Sequence, residues 1–297
     1  MEHAATIEQL LEAGAHYGHL TRRWNPKMEQ FIFGERNGIH IIDLRKTQVL
    51  LNLAANAVND IAEQGKGILF IGTKNQAKGL IQDYAKQCES NFVCERWLGG
   101  MLTNFTTIRK SVKRLTTIEK MEVDGTFEKI TKKERLLLTR EKERLRRVFG
   151  GVETMTRLPG ALFIVDIKKE HLAVKEAQIL GIPTIALVDS NTDPESVDFP
   201  IPANDDSIKT IELILKIMCD RIGKAGEISK IRRAELTSDS DRHSKEGGDD
   251  DKPKIKRKLR ERRPRKPGQG DMPDSSNDEF ETAVASGEVN EANNEDN

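Results

Sequence analysis

His16, Tyr17 and His19 stand together near the start of the chain. The segment 189–206 supplies Asp189, Asp193, Glu195, Asp198, Asp205 and Asp206 without one Lys or Arg. A histidine joined by two or three carboxylates is a donor set for zinc or magnesium, because imidazole nitrogen and carboxylate oxygen both offer lone pairs. The same acids also suit turn capping and a helix opening at Asp205, where negative charge meets the positive end of the helix dipole. No carboxylate pair and no Ser–His or Cys–His arrangement stands at a spacing that compels a catalytic reading.

A second kind of chemistry is written in cations. Arg22, Arg23, Trp24, Lys27 and Arg36 interleave with Tyr17, Phe31 and Phe33, and Arg96-Trp97 repeats the pairing beside Gly99-Gly100, just before Asn104. Cations neutralise phosphates, and aromatic or guanidinium planes stack on unpaired bases; contact with a partner protein is the competing explanation. From 104 to 149 fourteen basic residues, among them Arg109, Lys110, Lys113, Arg114, Lys132 and Lys133, face seven acids. Helical ion pairs such as Glu141 with Arg144 and Glu143 with Arg147 would use some of that charge. A surplus of seven remains, and it suits a polyanion. Gly72-Thr73-Lys74 follows an apolar run and opens a helix, so its backbone and Lys74 suit an RNA phosphate. It is neither a Walker loop nor a GxGxxG fingerprint, and a glycine needed for a tight turn explains it equally well.

These residues need elements to hold them. The periodicity predicts a short helix over 6–13, a polar loop through the histidines and Trp24, and strands at 31–34 and 39–43. A helix capped by Thr47 should run to about Gln64. Ile68 to Gly72 reads as a strand covered on both faces, followed by a helix to about Cys88 and a strand at 92–94. The 104–149 segment reads as an antiparallel two-helix coiled coil, with seams at Ile108, Val112, Leu115 and Ile118 and at Leu138, Leu145 and Val148, turning near Asp124-Gly125. Strands at 161–166, 184–189 and 197–201 alternate with helices at 169–180 and from Asp205 to about Ile222. This succession predicts a doubly wound parallel sheet.

Three cysteines, Cys88, Cys94 and Cys219, have no paired short spacing, so neither a disulfide framework nor a thiolate zinc site is expected. No apolar run is long enough for a signal peptide or a membrane span. The 48 basic and 48 acidic residues cancel, but in blocks: ten basic residues against Glu261 over 252–266, then nine acids and no cation over 268–297. The expected organisation is an α/β domain of 1–103 and 150–236, an inserted helical hairpin of 104–149, and a disordered charged tail of 237–297.

Several long segments together resemble the bacterial uS2 family of small-subunit ribosomal proteins. They are Glu12-Ala13-Gly14-Ala15-His16-Tyr17-Gly18-His19, Arg23-Trp24-Asn25-Pro26-Lys27-Met28, Asn37-Gly38-Ile39-His40-Ile41-Ile42-Asp43-Leu44, Arg96-Trp97-Leu98-Gly99-Gly100-Met101-Leu102-Thr103-Asn104 and Ile201-Pro202-Ala203-Asn204-Asp205-Asp206. The resemblance covers about residues 7–230. It implies a flavodoxin-like domain with a protruding coiled coil, acting without catalysis as a cytoplasmic, structural part of the 30S subunit. It implies contacts to 16S rRNA and neighbouring ribosomal proteins, and docking of the large multi-OB-domain protein that captures mRNA. It also implies a metal, zinc or magnesium, near His19 with Asp189, Asp205 and Asp206. The tail departs from the family pattern. Two other readings stay open on the residues alone: a sugar-phosphate isomerase or nucleotide-binding enzyme of flavodoxin-like fold, using Gly72-Thr73-Lys74 and the acidic loop, and a free RNA-binding regulator.

Overall fold

The computed structural model describes residues 4–246, with side chains as far as residue 229. Its centre is a parallel sheet of β4 (Ile68–Ile71), β5 (Asn91–Val93), β6 (Ala161–Val165), β7 (Thr184–Val188) and β8 (Phe199–Pro202), ordered β5-β4-β6-β7-β8. The order changes direction beside β4, which fits a flavodoxin-like fold. Helices α2 (Leu44–Glu63), α3 (Asn75–Gln87) and α8 (Ile208–Glu246) cover one face with the short α1 (Ile7–Glu12), and α7 (His171–Leu180) covers the other.

The apolar runs explain the layering. Successive strand side chains point to opposite faces, so Ile68, Phe70, Phe163 and Val165 enter the core under α2, α3 and α8. Leu69, Ile71, Leu162 and Ile164 enter the second core with Ala173, Val174 and Ala177 of α7. Strands buried on both sides must be continuous in hydrophobicity, as these are. Pro200 and Pro202 lie in β8, at the edge of the sheet, where a missing N–H breaks no ladder.

A separate antiparallel sheet, ordered β1-β3-β2, is built from β1 (Tyr17–Leu20), β2 (Ile32–Arg36) and β3 (Ile39–Ile42). Its first strand corrects the expected polar loop through the histidines. Tyr17 pairs with Ile41 and Leu20 with Ile39, and pairing with a neighbouring strand is invisible in a four-residue pattern with no clean alternation. A helix start also moves. Asp43, not Thr47, caps α2 by accepting from the Arg45 N–H, while the Thr47 hydroxyl lies inside the helix and donates to Pro202 O at 2.6 Å.

Between β5 and β6 run α4 (Phe105–Val123), the short α5 (Thr126–Lys129) and α6 (Lys132–Phe149). Gly125, at φ 71°, makes the turn, and α5, unexpected from the sequence, closes the tip by burying Phe127. Ile108, Val112, Leu115 and Ile118 of α4 are buried as expected, whereas Leu138, Leu145 and Val148 of α6 are half-buried. The helices run in opposite directions, since Glu119 meets Arg146 and Glu122 meets Lys142, while Arg114 meets Glu141. Glu141 thus pairs across the helices instead of with Arg144. The final helix begins at Ile208 and continues beyond the expected end at Ile222 to Glu246, so the segment 237–246, expected to be disordered, is helical. The rest of the tail, 247–297, lies outside the described residues.

Candidate nucleic-acid interface

The carboxyl ends of the parallel strands are where an open α/β sheet ordinarily receives a ligand. Here internal groups fill that position. Glu170 Oε1 accepts from the Thr73 N–H at 2.9 Å and from its hydroxyl at 2.5 Å, so a carboxylate of the chain takes the place at the start of α3 where a phosphate could sit. Gly72 sits in tight packing, because a Cβ there would run into Ile81 Cδ1 and lie 3.3 Å from Val165 Cβ. Lys74 is not free for RNA either. Its ammonium is 2.7 Å from Asp205 Oδ1, 2.6 Å from Asp206 Oδ1 and 3.7 Å from Asp166 Oδ2. Burial opposes that charge, but the hydrogen bonds to Asp205 and Asp206 outweigh it and raise the lysine pKa. Asp205 is itself pushed up to about 7 by burial and by the neighbouring Asp189, with Lys74 pulling the other way.

Strand β1 brings His19 onto this cluster. Gly18 permits the approach, since a Cβ there would be 2.8 Å from Ser190 Oγ, and the same hydroxyl accepts from the His19 N–H at 2.7 Å. His19 Nδ1 lies 3.0 Å from Asp189 Oδ2 and its Nε2 3.5 Å from Asp206 Oδ2. The Asp189 hydrogen bond raises the His19 pKa, burial opposes it, and the charges of Asp189, Asp205 and Asp206 add to the rise. One donor atom each from His19, Asp205 and Asp206 falls within 4.8 Å of the others. Three of the four expected metal ligands therefore converge. Asp189 takes a different place, against the far nitrogen of His19, which is how a carboxylate orients a ligating imidazole. The donor chemistry fits a divalent cation, and Lys74 already supplies one positive charge to the same two aspartates.

The cations expected to meet RNA divide into two groups. Arg22, Arg23, Arg96, Lys110, Lys113, Lys132 and Lys133 are exposed, as is Asn104 at the start of α4. Others are engaged by partners within the chain, although Lys27 and Arg114 are themselves exposed. Lys27 is held by Asp193 at 2.8 Å and Glu195 at 2.6 Å, Arg109 donates to Met155 O at 2.8 Å, and Arg114 makes a two-pronged bond to Glu141 at 3.1 and 3.0 Å. Neither tryptophan stands open as a stacking platform. Trp24 is half-buried, its ring 5.1 Å from that of His40, and Trp97 is 6 % exposed.

What the sequence reading missed is the acceptor beneath Trp97. Glu176 of α7, 7 % exposed, accepts from Trp97 Nε1, from the Gly100, Leu102 and Thr103 N–H groups and from the Thr103 hydroxyl, all at 2.8–3.1 Å. One carboxylate therefore fixes the Arg96–Asn104 loop that launches the basic helices. The only sequence signal was a charged residue in an otherwise apolar helix position. Exposed aromatics lie elsewhere: Tyr17 is 51 % and Phe33 80 % exposed, and both line a cleft of about 730 Å³ with Leu11, Ile39 and Ile41.

Comparison with known proteins decides the identity. The sequence model of the family described as ribosomal protein S2 matches residues 10–225. Two relatives named small ribosomal subunit protein uS2 are each 60 % identical: that of Chlorobium phaeobacteroides over 222 residues, 75 % of this chain and 88 % of the relative, and that of Chloroherpeton thalassium over 224 residues, 75 % and 90 %. The uS2 of Salinibacter ruber is 50 % identical over 233 residues, 78 % of this chain and 73 % of its own. The chain belongs to the ribosomal protein S2 family. As an S2-family member it is a structural ribosomal protein and not an enzyme. The family match spans the basic helices as well as the sheet and stops before the charge-blocked tail.

Proposed function

We propose that this S2-family chain is a cytoplasmic structural constituent of the small ribosomal subunit that lies against 16S rRNA through the outer surface of α4 and α6. The observation that carries the reading is the division of charge on those helices. Arg114, Lys142 and Arg146 are used in ion pairs between them, whereas Lys110, Lys113, Lys132, Lys133, Arg135, Arg140, Arg144 and Arg147 point to solvent. Exposed cations outside those ion pairs are the groups that exchange counterions for phosphates. Residues 104–149 then form an antiparallel coiled-coil arm set into the α/β domain of 1–103 and 150–236, and Arg22, Arg23 and Arg96 extend the contact from the domain. In this reading the apolar cleft at Tyr17 and Phe33 faces a neighbouring ribosomal protein, among them the multi-OB-domain protein that captures mRNA. His19, Asp205 and Asp206 would hold zinc or magnesium, with Asp189 orienting His19; the ion would neutralise the paired aspartates.

Sedimentation tests the central statement. The protein should migrate with small subunits at low salt and leave them progressively as salt rises. Protein that stays at the top of the gradient while small subunits migrate, at every salt concentration, would remove the reading.

A further inference from the structure

Away from the basic helices and the acidic cluster, two thiols from distant parts of the chain face each other. Cys88 ends α3, its N–H bonded to Tyr84 O and Lys86 O, and Cys219 lies in α8. Cys219 Sγ donates to Tyr84 O at 3.2 Å and to Cys88 Sγ at 3.3 Å, although the two cysteines are 131 positions apart. Cys88 Sγ also lies 3.6 Å from Ala85 O. Neither cysteine is in a disulfide.

We propose that Cys88 and Cys219 form a peroxide-sensitive dithiol that closes to a disulfide joining α3 to α8. Three features support it. First, the sulfurs need to approach by only a little over 1 Å to reach the ~2.05 Å of a disulfide, within reach of small side-chain rotations. Second, Cys88 is half-buried beside a surface cleft of about 370 Å³, and the buried Cys219 borders another of about 600 Å³, so a small oxidant has an approach to Cys88. Third, the two thiols are unequal. The hydrogen bond from Cys219 lowers the Cys88 pKa to about 7 against the opposing effect of burial, which supplies thiolate, the reactive form. Cys94, on the loop after β5, is instead pushed up by burial.

The chemistry balances with hydrogen peroxide as oxidant. The Cys88 thiolate attacks one peroxide oxygen, an S–O bond forms as the O–O bond breaks, and the departing hydroxide takes a proton to become water. The sulfur of Cys219 then attacks Cys88 sulfur, the S–S bond forms, the S–O bond breaks, and a second water leaves with the Cys219 proton. Two thiols and one peroxide give one disulfide and two waters.

Full-length protein, reduced and then treated with equimolar hydrogen peroxide, tests this by alkylation and peptide mapping. Cleavage after glutamate separates Cys88 from Cys94, because Glu89 lies between them. The expected result is a cross-linked peptide pair containing Cys88 and Cys219, lost on reduction, with Cys94 fully alkylated. In a Cys219→Ser variant Cys88 should stop at the sulfenic acid and give a dimedone adduct that the native protein does not. The proposal is overturned by full alkylation of Cys88 and Cys219, by a link to Cys94 or between two chains, by Cys88 sulfinic acid without a link, or by no adduct in the variant.

Discussion

Trp97 Nε1 donates to Glu176 Oε1 at 3.0 Å, joining the loop before α4 to α7, which packs on the same face of the sheet. The same carboxylate takes three backbone N–H groups of that loop, so the direction in which the basic helices leave the domain depends on one buried acid. A buried donor left without an acceptor costs about 1–3 kcal/mol. Glu176→Ala strands several, and after partial rescue by water it should lower unfolding free energy by about 3 kcal/mol in urea titration. A loss below about 1 kcal/mol would show that the loop finds other partners.

Much of the sheet could be read from residues 68–72, 161–166 and 184–189, because a strand covered on both faces must be apolar throughout. The basic surplus of 104–149 was equally readable, being a property of composition. What could not be read was which polar groups turn inward. Lys74 and Asp205 are 131 positions apart, Lys27 and Asp193 166 apart, and Trp97 and Glu176 79 apart. Each of these cations or rings looks available in a local window and is consumed by a partner that only the topology delivers. The strand β1 escaped for a related reason, since its pairing with β3 owes little to its own four residues.

Glu176 also carries a pH signature. Burial pushes its carboxyl up, but the bonds from Thr103, Trp97, Leu102 and Gly100 prevail and hold it below its ordinary value. A carboxyl depressed in the folded state contributes stability that is present above its unfolded pKa of about 4.3 and is lost as pH falls through the folded value. Unfolding free energy of the native protein should therefore decline below about pH 4 more steeply than that of Glu176→Gln, which has no proton to take up there. Parallel pH profiles for the two proteins would refute the assignment.

Lys74 makes a different prediction, because it neutralises Asp205, which is 1 % exposed. Asp205 titrates at about 7 even with Lys74 beside it, so the test belongs at about pH 9. There, removing one partner of a buried pair leaves an uncompensated charge, at a cost of about 3–5 kcal/mol. Lys74→Met should lose roughly that much, and adding Asp205→Asn to it should restore a good part, since the stranded carboxylate is gone. Thermal or urea unfolding of the single and double variants measures both steps. Equal losses in the two would mean that Lys74 acts through packing alone.

The final prediction separates free from committed cations. Lys110, Lys113, Lys132 and Lys133 are exposed on α4 and α6 with no ion pair among the described residues, whereas Lys27, also exposed, is paired with Asp193 and Glu195. Each phosphate contact contributes about 0.7–0.9 to the slope of log affinity against log salt. Replacing the four exposed lysines by Gln should flatten that slope for 16S rRNA by about 3, with little change in unfolding free energy, because surface substitutions ordinarily stay within about 0.5 kcal/mol. Lys27→Gln should leave the slope unchanged, since its charge is already matched within the protein. Filter binding across a salt series distinguishes the two variants. If the quadruple variant keeps the native slope while Lys27→Gln flattens it, the RNA-facing surface lies on the α/β domain and not on the helix pair.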